Sequence, residues 1–139
     1  MIVIDTDVLS GLMLPGPDPA VVAWLDRQAR SSVWTTSITV FEIRFGIVLL
    51  PPGSRRSRLE RSFDRLVTEM IEDRIVSFDT GAAKEAATLM AERRRSGRTG
   101  DIRDTMIAGI AMARHATLAT RNTRHFADLP VAVVDPWTA

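Results

Sequence analysis

Apolar runs alternate with helix-period segments along the whole chain. Ile2–Ile4 is a short β-rich run, followed by the polar turn Asp5-Thr6-Asp7. Asp18-Pro19 joins an N-capping side chain to a proline suited to a first helical turn, and Val21, Val22, Trp24 and Leu25 continue it as an amphipathic helix. Val33–Thr36 is a second strand. Ser37 is placed to cap a helix that carries Phe41, Phe45, Val48 and Leu49 at helical spacing and stops at Pro51-Pro52-Gly53. Leu59, Phe63, Leu66, Val67, Met70 and Ile71 define a long, arginine-studded helix. Ile75–Phe78 is a third strand, and Asp79 or Thr80 opens a helix that runs to Arg95, ahead of Gly97-Arg98-Thr99-Gly100. Thr105 to Ala113 is a small-residue, apolar helix, and Thr117–Thr120 and Val131–Val134 are the last strands. Strands separated by helices require a parallel sheet covered on both faces, an α/β fold. No repeat, low-complexity tract or linker interrupts the pattern, so one domain is expected over residues 1–139.

Composition narrows the chemistry. A chain of 139 residues is long enough to bury roughly 68% of its unfolded surface. It has no cysteine, which excludes a disulfide framework, a thiolate nucleophile and a cysteine-based zinc site. Two histidines, His115 and His125, are too few for a histidine-rich zinc set, and tyrosine is absent. Catalysis must use carboxylates, hydroxyls, arginines or a borrowed metal. The formal net charge of +1 is not the footprint of bulk attraction to nucleic acid. Yet 17 of the 18 cations are arginine, and Lys84 is the only lysine. Arginine makes forked contacts to phosphate that lysine cannot, although a GC-rich coding bias produces the same count. The N-terminus has no signal-peptide pattern, and the longest apolar stretch, Met106 to Ala113, is far short of the ~20 residues that span a bilayer. A cytoplasmic protein without a membrane segment is expected.

In an open parallel sheet, ligands gather outside the carboxyl ends of the strands. The first strand ends in Asp5-Thr6-Asp7, the second in Thr35-Thr36-Ser37, and the strand at Thr117–Thr120 in Arg121-Asn122. Glu42 follows in the second turn of the helix after the second strand, and Asp101 and Asp104 open the helix of Ala108 and Ala111. Each has a structural explanation as well. Asp5 or Asp7 suits a helix cap, and Asp101 and Asp104 suit the positive end of a helix dipole. Glu42 shares the spacing of Phe45, Gly46 and Leu49, on or beside a face expected to be buried, where an unpaired carboxylate is costly. Convergent carboxylates without His or Cys are donors for hard cations such as Mg²⁺ or Mn²⁺. Such an ion activates water and neutralises a phosphodiester, and arginines outside the acidic cluster can hold flanking phosphates.

These stretches resemble the PIN-domain proteins of the VapC type, the toxin halves of bacterial toxin–antitoxin pairs, and especially their FitB-like branch. The resemblance covers essentially the whole chain. It is carried by Ile4-Asp5-Thr6-Asp7-Val8, Val22-Ala23-Trp24-Leu25-Asp26 and Ser37-Ile38-Thr39-Val40-Phe41-Glu42-Ile43-Arg44-Phe45-Gly46. It continues through Asp104-Thr105-Met106-Ile107-Ala108-Gly109-Ile110-Ala111, Ala119-Thr120-Arg121-Asn122-Thr123-Arg124-His125-Phe126 and the closing Asp135-Pro136-Trp137. Each is weak alone; all six in order are specific.

The resemblance implies a parallel sheet flanked by helices, dimerisation, and Mg²⁺- or Mn²⁺-dependent hydrolysis of RNA. Asp5, Glu42 and Asp104 match the family's three acidic metal-site positions, and Asn122 falls at its fourth. There Asp is common, and the amide weakens a second metal site because it supplies no charge and takes no proton. Asp7 stands where Asn or Ser is commoner, so an extra carboxylate offsets part of that loss. On this basis Asp5 and Asp104 ligate the ion directly, and Glu42 binds through water or orients the nucleophile. Thr6 and Thr120 support the site as hydroxyl donors. Two arginine-rich segments are candidates for guiding RNA: Arg55, Arg56, Arg58, Arg61 and Arg65, and Arg93, Arg94, Arg95 and Arg98, with helix-dipole pairing and a solvated face as an equally good explanation of the second. His125 is expected to pack in its turn beside Phe126. The expected partners are RNA, a cognate antitoxin and a second copy of the chain, with promoter DNA reached only through the antitoxin. Two other functions stay open on the residues: a PIN-fold binding module weakened by Asn122, and a haloacid-dehalogenase-like phosphatase using Asp5. The latter needs a lysine at its site, and Lys84 sits among Ala83, Ala86 and Ala87.

Overall fold

The computed structural model describes all of residues 1–139. Five short strands form one sheet in the order β3-β2-β1-β4-β5, and every pairing is parallel. They are β1 (Ile2–Ile4), β2 (Val33–Thr36), β3 (Ile75–Val76), β4 (Thr117–Ala119) and β5 (Val133–Val134). The helices are α1 (Thr6–Leu12), α2 (Pro19–Asp26), α3 (Ser37–Val48), α4 (Ser54–Arg65), α5 (Thr80–Arg95) and α6 (Ile102–Ala113).

Alternation along β1 sends successive side chains to opposite faces. Ile4 enters an apolar layer with Val8, Leu9, Trp24, Ile43 and Phe63, contributed by α1 to α4. Val3 enters the other layer, with Leu89, Ile107, Ala108, Ala111 and Leu118. The chain therefore builds the sheet covered on both faces that its pattern predicts.

The boundaries differ where the local signal is short. The long helix expected over Leu59–Ile71 is α4 followed by one π-helical turn, Leu66–Met70. Strands β3 and β5 keep only two ladder residues each. Helix α6 begins at Ile102 because Asp101 is its N-cap, accepting from the amides of Arg103 at 2.8 Å and Asp104 at 3.3 Å. At α3 the cap is Thr36 and not Ser37: Thr36 Oγ1 accepts from the Thr39 amide at 3.0 Å, while Ser37 Oγ accepts from Phe78 N across the sheet edge.

The face of α3 expected in the core is a larger correction. Phe41, Phe45, Val48 and Leu49 are 57%, 50%, 58% and 69% exposed, and Thr39, Ile43 and Ile47 face inward instead. The helix is apolar on two sides, so periodicity alone does not tell which side meets the sheet.

Candidate active site

The strand order reverses direction beside β1: β2 and β3 lie on one side of it, β4 and β5 on the other. At such a point two loops leave the sheet in opposite directions and open a crevice at its carboxyl edge. Asp5 follows β1 there, and its amide donates to Ala119 O at 3.0 Å, tying it to the end of β4. Its side chain caps α1, with Oδ1 accepting from Val8 N at 3.1 Å. The residue is 5% exposed. Burial raises its carboxyl from 3.8 to about 6; the Thr120 hydroxyl and the Val8 amide oppose this, and the charges of Asp7 and Asp104 add to it.

Three further carboxylates lie near it, Glu42 and Asp104 from other elements and Asp7 from the helix that Asp5 caps. Glu42 sits on α3, one helical turn beyond buried Thr39, and its Oε1 accepts from Thr6 Oγ1 at 2.8 Å. Thr6 lies one residue past Asp5, so this bond joins the first turn of α1 to α3. Asp104, in the first turn of α6, is raised by its own burial and then by the charges of Asp101, Glu42 and Asp7, with His125 opposing. Asp7 is exposed in the first turn of α1. Glu42 is therefore paired: besides Thr6 it has Arg103, whose Nε lies 3.7 Å from Oε2 and also 3.6 Å from Asp101 Oδ1.

The turn after β4 supplies the fourth position. The Asn122 amide N–H donates to Thr120 Oγ1 at 3.0 Å, which folds the backbone back over the end of the strand and leaves the Asn122 side chain half-buried. That turn is anchored by Arg93, 8% exposed at the end of α5. Its Nε and one Nη each donate to Asp128 at 2.9 Å, and the same Nη donates to His125 O at 2.6 Å. The other Nη reaches Thr105 Oγ1, beside Asp104, at 3.5 Å. One guanidinium thus holds α5, the start of α6 and the turn that carries Asn122. Its hydrogen bonds and charge hold the Asp128 carboxyl below its ordinary value.

A family model described as the PIN domain matches residues 2–132. The chain belongs to the PIN-domain family. Two curated relatives match along nearly their whole length. One is the protein named VapC ribonuclease Y4jK of Sinorhizobium fredii, 36% identical over 99% of this chain and 98% of its own. The other is Toxin FitB of Neisseria gonorrhoeae, 34% identical over 99% of both chains. The solved structure of FitAcB from Neisseria gonorrhoeae superposes with a TM-score of 0.89 at 34% identity, covering 100% of each chain.

In this PIN domain the donor set suits a hard divalent cation. Asp5, Asp7, Glu42 and Asp104 are carboxylates, and Asn122 adds an amide oxygen. The charge of Asp104 raises the affinity of Asp5 for a proton, and those of Glu42 and Asp7 raise that of Asp104, a repulsion that a dication relieves. As the side chains stand, no three of the carboxylates and imidazoles close on one point, and Glu42 is turned toward Thr6 and Arg103. Of the arginines marked from the sequence, Arg56 pairs with Glu60 at 3.1 Å, Arg55 and Arg58 are exposed on α4, and Arg94 and Arg95 are exposed at the end of α5. His125 is exposed, with Phe126 buried beside it, and its charge acts on Asp104. Lys84 is exposed near the start of α5, the opposite end of that helix from Arg93 and Thr105, so it does not serve a phosphatase site at Asp104. Sequence reasoning groups Arg93 with the RNA-guiding arginines, whereas it is buried and bound to Asp128, and it misses Arg103. Arg93 carries no local signal, because an arginine in a run of arginines looks alike whether it is buried or solvated, and Arg103 stands alone between Ile102 and Asp104 with nothing to mark its partner on a distant helix.

Proposed function

We propose that this chain is a metal-dependent endoribonuclease and the toxin half of a toxin–antitoxin pair, acting as a single PIN domain over residues 1–139. The observation that carries this reading is that Asp104, from a separate element, lies close enough to Asp5 for its charge to act on it, and Glu42, from a third, close enough to act on Asp104, at the switch point of the sheet. The names borne by the relatives, a VapC ribonuclease and a FitB toxin, support it.

Asp5 and Asp104 would hold Mg²⁺ or Mn²⁺, and the ion would supply water acidification and charge neutralisation at the phosphodiester. Glu42, aligned by the Thr6 hydroxyl and Arg103, orients the attacking water as a hydrogen-bond acceptor. Thr120 keeps Asp5 in place, Asn122 contributes its amide oxygen where a charge is absent, and Asp7 adds negative potential at the rim. Arg103 sits between Glu42 and Asp101 and limits repulsion among the carboxylates before substrate arrives.

The exposed stripe of Phe41, Phe45, Val48 and Leu49, with the two phenyl rings stacked at 6.2 Å, is the surface for a second copy of the chain or the antitoxin. Promoter DNA is met through the antitoxin. No helix is long and apolar enough to cross a membrane.

Purified protein incubated with single-stranded RNA should cleave it with Mn²⁺ or Mg²⁺ and lose activity in EDTA. Asp5→Asn and Asp104→Asn should each lower the rate by at least about 100-fold. Mn²⁺ should raise the melting temperature of the wild type and leave that of Asp5→Asn unchanged. Equal cleavage by both variants would remove these residues from the site.

A further inference from the structure

A cleft of about 250 Å³ opens directly beside Asp104, and no apolar side chain lines it. Arg98, Thr99 and Gly100 reach it from the loop between α5 and α6, Arg124 and His125 from the turn after β4, and two carboxylates line it as well: Asp104 from α6, and Asp101, which is engaged by the amides of Arg103 and Asp104 and by the Arg103 side chain. We propose that this cleft is a phosphate subsite, in which Arg98, Arg124 and His125 grip a backbone phosphate of single-stranded RNA next to the one being cleaved. The inference rests on the ribonuclease reading and adds to it the place where the strand is held.

The lining decides the occupant. A nucleobase gains affinity by stacking on a broad aromatic or apolar surface, and this cleft offers no apolar side chain and no ring but the His125 imidazole. Phosphate oxygens match the fork of an arginine, and two arginines here are free to turn toward them. Arg124 has no carboxylate partner, while Arg98 is half-exposed and touches Asp128 at 3.4 Å, a carboxylate already held by both donors of Arg93. Arg93 lines the cleft as well, but its hydrogen bonds are committed and it serves as a fixed wall.

The position follows from Asp104, which belongs both to the cleft and to the carboxylate cluster. A strand whose scissile phosphate is drawn to a cation between Asp5 and Asp104 would therefore pass a neighbouring phosphate over Arg98 and Arg124. Arg55, Arg56 and Arg58 do not line this cleft, and Arg94 lies outside it, in an adjoining recess with Met90 on the other side of Arg93 and Arg98.

The test is fluorescence anisotropy with a labelled single-stranded RNA 12-mer in Mg²⁺, in the Asp5→Asn background so that the probe survives. Adding Arg98→Gln and Arg124→Gln together should weaken binding about tenfold. It should also flatten the slope of log affinity against log salt by about 1.4, roughly 0.7 for each arginine that no longer neutralises a phosphate. Arg124→Lys, which keeps the charge, should retain most of the affinity, and Arg114→Gln, at the far end of α6, should bind as the parent does. In the cleaving protein the double variant should raise KM and spare kcat. Unchanged affinity and salt slope in the double variant would overturn the subsite, whatever the nuclease activity. Arginine-dependent binding by a wild type that cleaves no RNA would support the subsite and overturn the ribonuclease reading instead.

Discussion

Asp5 serves the fold and the proposed chemistry with the same side chain. As the cap of α1 it satisfies the Val8 amide, and as a buried carboxylate at the end of β1 it carries a charge that the interior resists. Its carboxyl rises from 3.8 to about 6 on folding. The folded chain binds that proton more tightly than the unfolded chain does, so ionised Asp5 lowers stability above about pH 6. The cost shrinks as pH falls through that value and is gone near pH 4, where both states are protonated. In EDTA, Asp5→Asn keeps an oxygen to cap α1 and should stabilise the protein by about 1–3 kcal/mol at pH 8, with the gain vanishing by about pH 4. Urea midpoints at the two pH values measure it, and a loss of stability at pH 8 would contradict the account. Asp128 has the opposite sign. Its lowered carboxyl adds stability at neutral pH, which is lost as acid protonates it below its ordinary value.

At the scale of elements, the pairing of α5 with α6 sets where Asp104 stands. Arg93 meets Thr105 at one end of the pair, and Asp79 meets Arg114 at 3.7 Å at the other, so the two helices run antiparallel. Between them, a Cβ on Gly109 would fall 2.6 Å from Ala82 O and 2.7 Å from Ala86 Cβ. Only a residue without a side chain permits that approach. Gly109→Ala should therefore destabilise the protein by about 1–3 kcal/mol in urea and lower activity by moving Asp104. Alanine has the higher helix propensity, so a more stable variant would refute the close packing. The small-residue character of this helix is legible in the sequence. The partner that makes it necessary is not, because Ala82 and Ala86 lie more than twenty positions away.

Across the whole molecule, a net charge of +1 conceals a division of labour. Carboxylates gather at the sheet's switch point, arginines border the cleft beside them, and a bare apolar stripe runs along α3. That stripe is too exposed for a chain that works alone. Phe41→Asp with Phe45→Asp should convert a dimer to a monomer by light scattering or abolish capture of the antitoxin, while the monomer's melting temperature stays the same. A large fall in melting temperature would instead place those rings in the core.

The sequence by itself determined the α/β alternation, the parallel sheet and the candidate acids, because each is written in local period, caps and ordered short motifs. It could not determine which side of α3 is buried, since that helix is apolar on two sides and only packing against the sheet selects one. Nor could it separate Arg93, buried and bound to Asp128, from Arg94 and Arg95, which are exposed. Tertiary structure decided those questions. A cap or a hydrophobic period depends on residues a few positions apart, whereas the partners of Arg93, Glu42 and Gly109 are set by the crossing of distant elements.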